Sequence, residues 1–166
     1  MTIRLNIALF GLGFLVCMAA WAGGKTEDSG QGVNVDGQNR ALFGRDAVAY
    51  FSLETDAQAV EGKPEFSFGW NGAEWLFATR ENLQSFESDP HKYAPRYGGY
   101  CSFAMSQDKL IFSDPEAWTL YDGKLFLFNR KPGRTNWRND SDRFIALADG
   151  YWPARLERLR AADTVK

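Results

Sequence analysis

Residues 66–77 read FSFGWNGAEWLF, and this stretch decides the fold class. Aromatic residues alternate with small or polar ones on both sides of Asn71-Gly72, which is the period-two pattern of a half-buried strand. Asn-Gly favours a two-residue turn in which both residues have positive φ. The stretch therefore predicts an antiparallel hairpin whose first strand carries its aromatic side chains on one face.

A second hairpin is predicted by residues 118–128, which read WTLYDGKLFLF and have Asp-Gly at the turn. We expect both hairpins to join one small antiparallel sheet. Short helices fill the rest of the predicted α+β fold. Thr79 is suited to cap the first helix, Pro90 to open the next, and Pro153 to start the last helix of a C-terminal extension.

The first 22 residues differ from the rest of the chain. Arg4 is the only charged residue before Lys25, and the apolar run between them has the length of a signal-peptide core. It ends in small residues suited to cleavage after position 22. The pattern predicts an exported protein, periplasmic or secreted, although an uncleaved anchor is the alternative. Polar, glycine-rich residues 23–40 predict a flexible leader, and residues 41–162 a single domain.

Charge and cysteine content exclude several classes of protein. The chain has 19 Lys and Arg against 21 Asp and Glu, a net charge of −2, and no clustered basic face that would predict nucleic-acid binding. Once residues 1–22 are removed, no membrane span is expected. Cys17 leaves with that segment, so Cys101 has no partner for an intramolecular disulfide.

Three side chains could bind a soft metal. His91, Cys101 and Met105 are the only His, Cys and Met after residue 22. A helix over 101–105 would place Cys101 and Met105 on one face, and Gly98-Gly99 could fold the chain to bring His91 near. Thiolate, thioether and imidazole suit Cu(I), so a copper ion is the predicted cofactor. In the alternative interpretation Cys101 and Met105 are core residues and His91 is exposed.

Little in the sequence supports a catalytic site. Any Ser/His/Asp or Cys/His arrangement must use His91, which lies in a charged segment at a predicted helix start. Gly98-Gly99 lacks the Lys-Ser/Thr of a phosphate-binding loop, and one Cys with one His cannot supply a four-ligand zinc site. We therefore assign no catalytic residue, and a thiol-redox enzyme using Cys101 is the remaining enzymatic alternative.

Three segments together resemble the secreted or periplasmic branch of the YHS-domain family. They are residues 44–51 (GRDAVAYF), 75–86 (WLFATRENLQSF) and 89–101 (DPHKYAPRYGGYC). The similarity spans residues 41–105 and continues more weakly toward the C terminus, through positions such as Trp118 and Trp152-Pro153.

This resemblance implies a treble-clef-like core and heavy-metal binding, since YHS domains occur in metal transporters and other metal-handling proteins. The short metal-binding forms of the family carry cysteines at positions that correspond to Ala49, Ala78 and Asn82. None of these three can ligate a soft metal. Only Cys101 keeps a thiol, so the resemblance implies that the fold carries over while any metal site differs.

These observations predict an exported, non-enzymatic metal-binding or metal-handling module centred on Cys101. The alternative is a module without metal that binds another exported protein or a small ligand. Its predicted binding residues are the aromatic and glycine positions of one segment: Tyr97, Gly98, Gly99 and Tyr100, with Tyr93 beside them.

Overall fold

A computed structural model describes residues 32–163; the predicted signal peptide and residues 23–31 lie outside the described part. Four strands and five α-helices occur in that part of the chain. In order they are β1 Lys63–Trp70, β2 Ala73–Phe77, α1 Arg80–Ser88, α2 Pro90–Tyr93, α3 Ser102–Met105, β3 Asp114–Tyr121, β4 Lys124–Phe128, α4 Lys131–Arg138 and α5 Ser141–Asp163. The predicted α+β class is confirmed.

Both predicted hairpins form with the predicted turns. β1 pairs antiparallel with β2, and β3 with β4. Asn71 and Gly72 have φ of 51° and 73°, and Asp122 and Gly123 have φ of 47° and 64°. These left-handed conformations match the twist of the adjoining strands, which is why Asn-Gly and Asp-Gly pairs favour such turns.

The prediction of one shared sheet is wrong, because in the described residues each hairpin forms its own two-stranded sheet. The outer edge of β2 is already bonded: Ala41 N–H donates to Glu74 O at 2.8 Å, and Glu74 N–H donates to Asn39 O at 2.9 Å. The hairpins therefore meet through side chains rather than strand edges. Trp75 of the first and Trp118 of the second belong to one buried cluster.

Local capping signals place the short helices that follow β2. The Thr79 hydroxyl accepts a hydrogen bond from Asn82 N–H at 3.2 Å at the start of α1, as predicted. Pro90 occupies the first turn of α2, where the missing N–H has no intrahelical partner to lose. Phe86 of α1 is fully buried, and its packing holds the helix on the first hairpin.

The C-terminal helix differs from the prediction. Pro153 lies inside α5 rather than at the start of a separate helix. A proline removes one backbone hydrogen bond. Side chains before it, such as Phe144 and Ala148, and Trp152 beside it pack on the second buried cluster, which also contains Met105. This packing keeps α5 continuous across Pro153.

The ordered fold begins well before residue 41. Val33 and Asn34 are buried, although composition predicts a flexible leader through residue 40. Asn34 N–H donates to Gly98 O at 2.7 Å, and its side-chain amide donates to Gly99 O at 3.2 Å. Residues 32–34 are thus attached to the segment that follows α2, and they help to form the cavity described next.

Candidate functional site

A cavity of about 380 Å³ lies where β1, β2, the segment after α2 and α5 meet. Three tryptophans line it, Trp70, Trp75 and Trp152, and we call it the tryptophan cavity. Its volume is within the range of small-ligand sites. The turn after Trp70 and the length of α5 bring together residues that are far apart in the sequence.

One wall of this cavity is made by a strained stretch of backbone. Tyr97, Gly98 and Gly99 have successive φ values of 55°, 60° and 82°. A non-glycine residue in this conformation costs on the order of 1–2 kcal/mol. Tyr97 is retained there because its ring is buried and its hydroxyl donates to Asp149 Oδ1 at 2.9 Å.

Two arginines supply positive charge at the cavity. Arg96 is ion-paired with Asp149, whereas Arg160 of α5 has no ion pair with any described residue. Burial lowers the pKa of Arg96, but the Asp149 carboxylate more than offsets this and raises it overall. Burial, together with the hydrogen bond to Asp149, raises the pKa of the Tyr97 hydroxyl above its ordinary value. Arg96 therefore stays charged and Tyr97 stays neutral at physiological pH.

Cys101 lies at a second cavity of about 360 Å³, which we call the cysteine cavity. The residue is only 4% exposed. Its N–H donates to Ile111 O at 2.9 Å, and its carbonyl accepts from Met105 N–H at 2.9 Å at the start of α3. These two bonds hold the backbone of Cys101 in the wall of the cavity.

The three predicted metal ligands do not converge on one site. His91 is exposed, lines the tryptophan cavity and packs edge-on against Trp70, with ring centroids 5.3 Å apart. Cys101 lines the other cavity, and Met105 is fully buried in the core. Nor do residues 32–163 contain a group of three or more His, Cys, Asp or Glu side chains able to hold a metal ion. This arrangement does not fit a Cu(I) ion held by all three, and copper binding stays a prediction.

The predicted ligand-binding residues are divided between wall and core. Tyr97 and Gly98 line the tryptophan cavity. Gly99 is buried, and its carbonyl accepts from the Ser113 hydroxyl at 2.6 Å. Tyr100 is buried and stacks on Phe112 with centroids 6.1 Å apart. Tyr93 is half-buried and packs edge-on against Phe51.

Sequence reasoning missed most of the tryptophan cavity. The hairpin pattern predicts Trp70 and Trp75 as strand residues, Trp152 enters only through the family resemblance, and nothing in the sequence marks Arg160 as a site residue. The tryptophan content was the available signal, but core packing explains tryptophans in strands and helices equally well. Nothing in the spacing of these residues indicates that they share a cavity.

Ala49, Ala78 and Asn82 all donate hydrogen bonds to one carboxylate, that of Asp46. Asp46 is fully buried. Its Oδ1 accepts from Ala49 N–H at 3.0 Å and from Val48 N–H at 2.9 Å. Its Oδ2 accepts from Ala78 N–H at 2.8 Å and from the Asn82 side-chain amide at 2.7 Å. Four hydrogen bonds to a buried acid therefore join the turn before β1 to the end of β2 and to α1.

We expect the Cys101 thiol to react slowly in the folded protein, because thiol reagents need access to sulfur and this residue is almost fully buried. Labelling by 5,5′-dithiobis(2-nitrobenzoate) should be about a hundredfold slower at Cys101 than in the urea-unfolded chain. Peptide mass spectrometry separates Cys101 from Cys17, and Cys101→Ser gives the background. Equal rates in the folded and unfolded chains would show that the sulfur is freely accessible.

No helix in the described residues is long and apolar enough to cross a bilayer. Comparison of the chain with protein-family models, with curated proteins and with solved structures finds no match in any of the three.

Proposed function

We propose that this protein is an exported, non-enzymatic binding module whose ligand site is the tryptophan cavity. The observation that carries the proposal is the composition of its walls: three tryptophans, Tyr97 and two arginines line one space. Concave sites lined by aromatic rings with a few polar groups are the usual form of small-ligand pockets. Export is inferred from the apolar N-terminal pattern in the sequence.

The wall chemistry indicates the class of ligand. Indole rings offer flat apolar faces that favour stacking with another ring. Arg160 offers a guanidinium with no acidic partner among the described residues, and guanidinium groups bind carboxylates in bidentate geometry. Arg96 is already paired with Asp149. The cavity therefore suits a small aromatic carboxylate, with its ring among the tryptophans and its charge at Arg160.

The strained wall supports the same proposal. Backbone strain persists only where the surrounding structure imposes it, and it clusters at ligand sites. The stretch of positive φ at Tyr97 and Gly98 lies in the cavity wall, held by the Asn34 hydrogen bond on one side and by Asp149 on the other. This holds the wall in position before a ligand binds, which reduces the ordering entropy lost on binding.

Metal handling, the function implied by the YHS resemblance, stays the competing hypothesis. It requires a second soft donor close to the Cys101 thiol. Met105 belongs to the same buried cluster as Cys101, but His91 lines the other cavity. The positions of these side chains favour a binding module without a metal. Competition for Cu(I) between a chromophoric chelator and the wild-type or Cys101→Ser protein distinguishes the two functions.

Matched ligands and matched arginines test the proposed site. We expect phenylacetate to bind the wild-type protein, and Arg160→Gln to weaken that binding about tenfold through loss of a charge-assisted hydrogen bond. Phenylacetamide has the same ring but no charge, so Arg160→Gln should change its binding affinity little. Isothermal titration calorimetry measures both.

Arg158→Gln is the control, because Arg158 is exposed on the same helix and does not line the cavity. It should leave phenylacetate binding unchanged. Equal losses in the Arg158 and Arg160 variants would mean that the effect is only one of net charge. If neither compound shows saturable binding to the wild-type protein, the proposal is refuted.

A further inference from the structure

The cysteine cavity is independent of the tryptophan cavity and shares no lining residue with it. It lies between α3, the segment that leads into β3, and the junction of β4 with α4. Phe103, Ile111 and Pro132 form its apolar walls, and Cys101 lies in the wall beside Phe103. At about 360 Å³ it can accept a small organic molecule.

The charge of this cavity is entirely positive. Lys109 and Arg130 line it, and none of the described residues that line it is acidic. Neither cation makes an ion pair with any residue from 32 to 163, whereas neighbouring Asp108 is already paired with Arg155 at 2.7 Å. In a protein with a net charge of −2, an acid-free cavity with two unpaired cations is a local concentration of positive charge.

The start of α4 adds to this positive charge. Arg130 is the N-cap residue of this eight-residue helix, with no side-chain cap and no acidic residue in the first turn. The N-terminal end of a helix carries a partial positive charge that favours anions. Asn136 of α4 also lines the cavity and can donate a hydrogen bond through its side-chain amide.

Cys101 provides a chemical reporter in the wall of this cavity. The residue is 4% exposed and packs in the second buried cluster. Cys101 also lines the cavity. Its position beside the cationic side of the cavity makes it a natural reporter for anything that binds there.

We propose that the cysteine cavity binds a small organic anion. Its charged end lies between Lys109 and Arg130, and its carbon chain lies against Phe103 and Ile111, next to the Cys101 thiol. A carboxylate and a phosphate ester share the required chemistry, a negative charge on oxygen attached to a short apolar body. Binding is non-covalent and involves no change at sulfur.

Alkylation of Cys101 by two reagents of similar size tests the proposal. Iodoacetate is an anion and iodoacetamide is neutral. With both reagents the Cys101 thiol loses its proton to solvent, and its sulfur bonds to the CH₂ carbon as the C–I bond breaks and releases iodide. The measured quantity is the alkylation rate of Cys101 with iodoacetate divided by its rate with iodoacetamide. This ratio in the folded full chain is divided by the same ratio in urea. Peptide mass spectrometry separates Cys101 from Cys17. We expect this normalised ratio to be about tenfold above one at low salt, because a cationic cavity concentrates the anionic reagent.

The Lys109→Gln/Arg130→Gln double variant should bring the normalised ratio close to one. The matched control is Lys124→Gln/Arg158→Gln, which removes the same two charges at exposed positions away from the cavity and should keep the wild-type ratio. Equal ratios in wild type, double variant and control would overturn the proposal. Thermal unfolding of each variant confirms that all are folded.

A direct titration covers the case in which the thiol reacts too slowly to compare. Amide signals of Cys101, Ile111 and Gly133 should shift saturably with succinate or with propyl phosphate in wild type but not in the double variant. Saturation by only one of the two compounds identifies the charged group that is preferred. No saturation by either up to about 10 mM would refute the site. The tryptophan cavity is unaffected by this outcome, since it has its own residues and probe.

Discussion

Replacing Asp46 by Asn should lower the free energy of unfolding by about 3–5 kcal/mol, with no change in the residues that line either cavity. The carboxylate accepts four hydrogen bonds, two at each oxygen. An asparagine keeps one of the two oxygens and has an NH₂ group in place of the other. That NH₂ group faces two hydrogen-bond donors and cannot accept from them. Two donors near a fully buried side chain then lack an acceptor, at about 1–3 kcal/mol each.

Urea unfolding followed by circular dichroism measures this loss. Asp122→Asn is the control, because it makes the same chemical change at an exposed turn residue, where asparagine also tolerates the positive φ of 47°. We expect it to lie within about 0.5 kcal/mol of wild type. An Asp46 variant as stable as the Asp122 variant would mean that the buried carboxylate does not hold the first hairpin, α1 and the preceding turn together.

Replacing Gly98 by Ala should cost about 3 kcal/mol and weaken ligand binding in the tryptophan cavity. Gly98 has a φ of 60°, and a Cβ there would lie 1.7 Å from the carbonyl oxygen of Gly32. The two segments must therefore separate. The separation breaks the 2.7 Å hydrogen bond from Asn34 N–H to Gly98 O and displaces one wall of the cavity.

Gly123→Ala isolates the steric part of that effect. Gly123 has a nearly identical φ of 64°, but a Cβ there would have no neighbour within 4 Å. The Gly123→Ala variant should lose only about 1 kcal/mol of folding stability, the intrinsic penalty of an alanine in the left-handed conformation. Thermal unfolding and phenylacetate titration of both variants separate the two contributions. Equal destabilisation by the two substitutions would contradict the close packing of residue 98 on residue 32.

Much of the secondary structure was predictable because its signals are local. Alternating aromatics with Asn71-Gly72 or Asp122-Gly123 specify hairpins through turn geometry and side-chain period alone. The Thr79 cap acts within one helical turn. The prediction that Pro153 starts a separate helix is wrong, because the packing of α5 on the second cluster outweighs the lost hydrogen bond.

The candidate sites were predictable only in part. The sequence predicted a metal site at His91, Cys101 and Met105 and an alternative ligand site that includes Tyr97 and Gly98. The structure places Tyr97, Gly98 and His91 at one cavity and Cys101 at another. The positive φ values at residues 97–99 mark a sharp change in chain direction between the two cavities, which a sequence pattern does not show.

By itself, the sequence determined the α+β class, both hairpin turns and a single thiol after residue 22, since each depends on composition or on residues a few positions apart. Only the tertiary structure decided that the hairpins form separate sheets and that His91 and Cys101 line different cavities. It also placed Arg160 and Trp70, ninety residues apart in the chain, in the lining of one cavity. Such contacts depend on how whole elements pack, because side chains that fill a shared space are selected for shape and burial rather than for spacing along the chain.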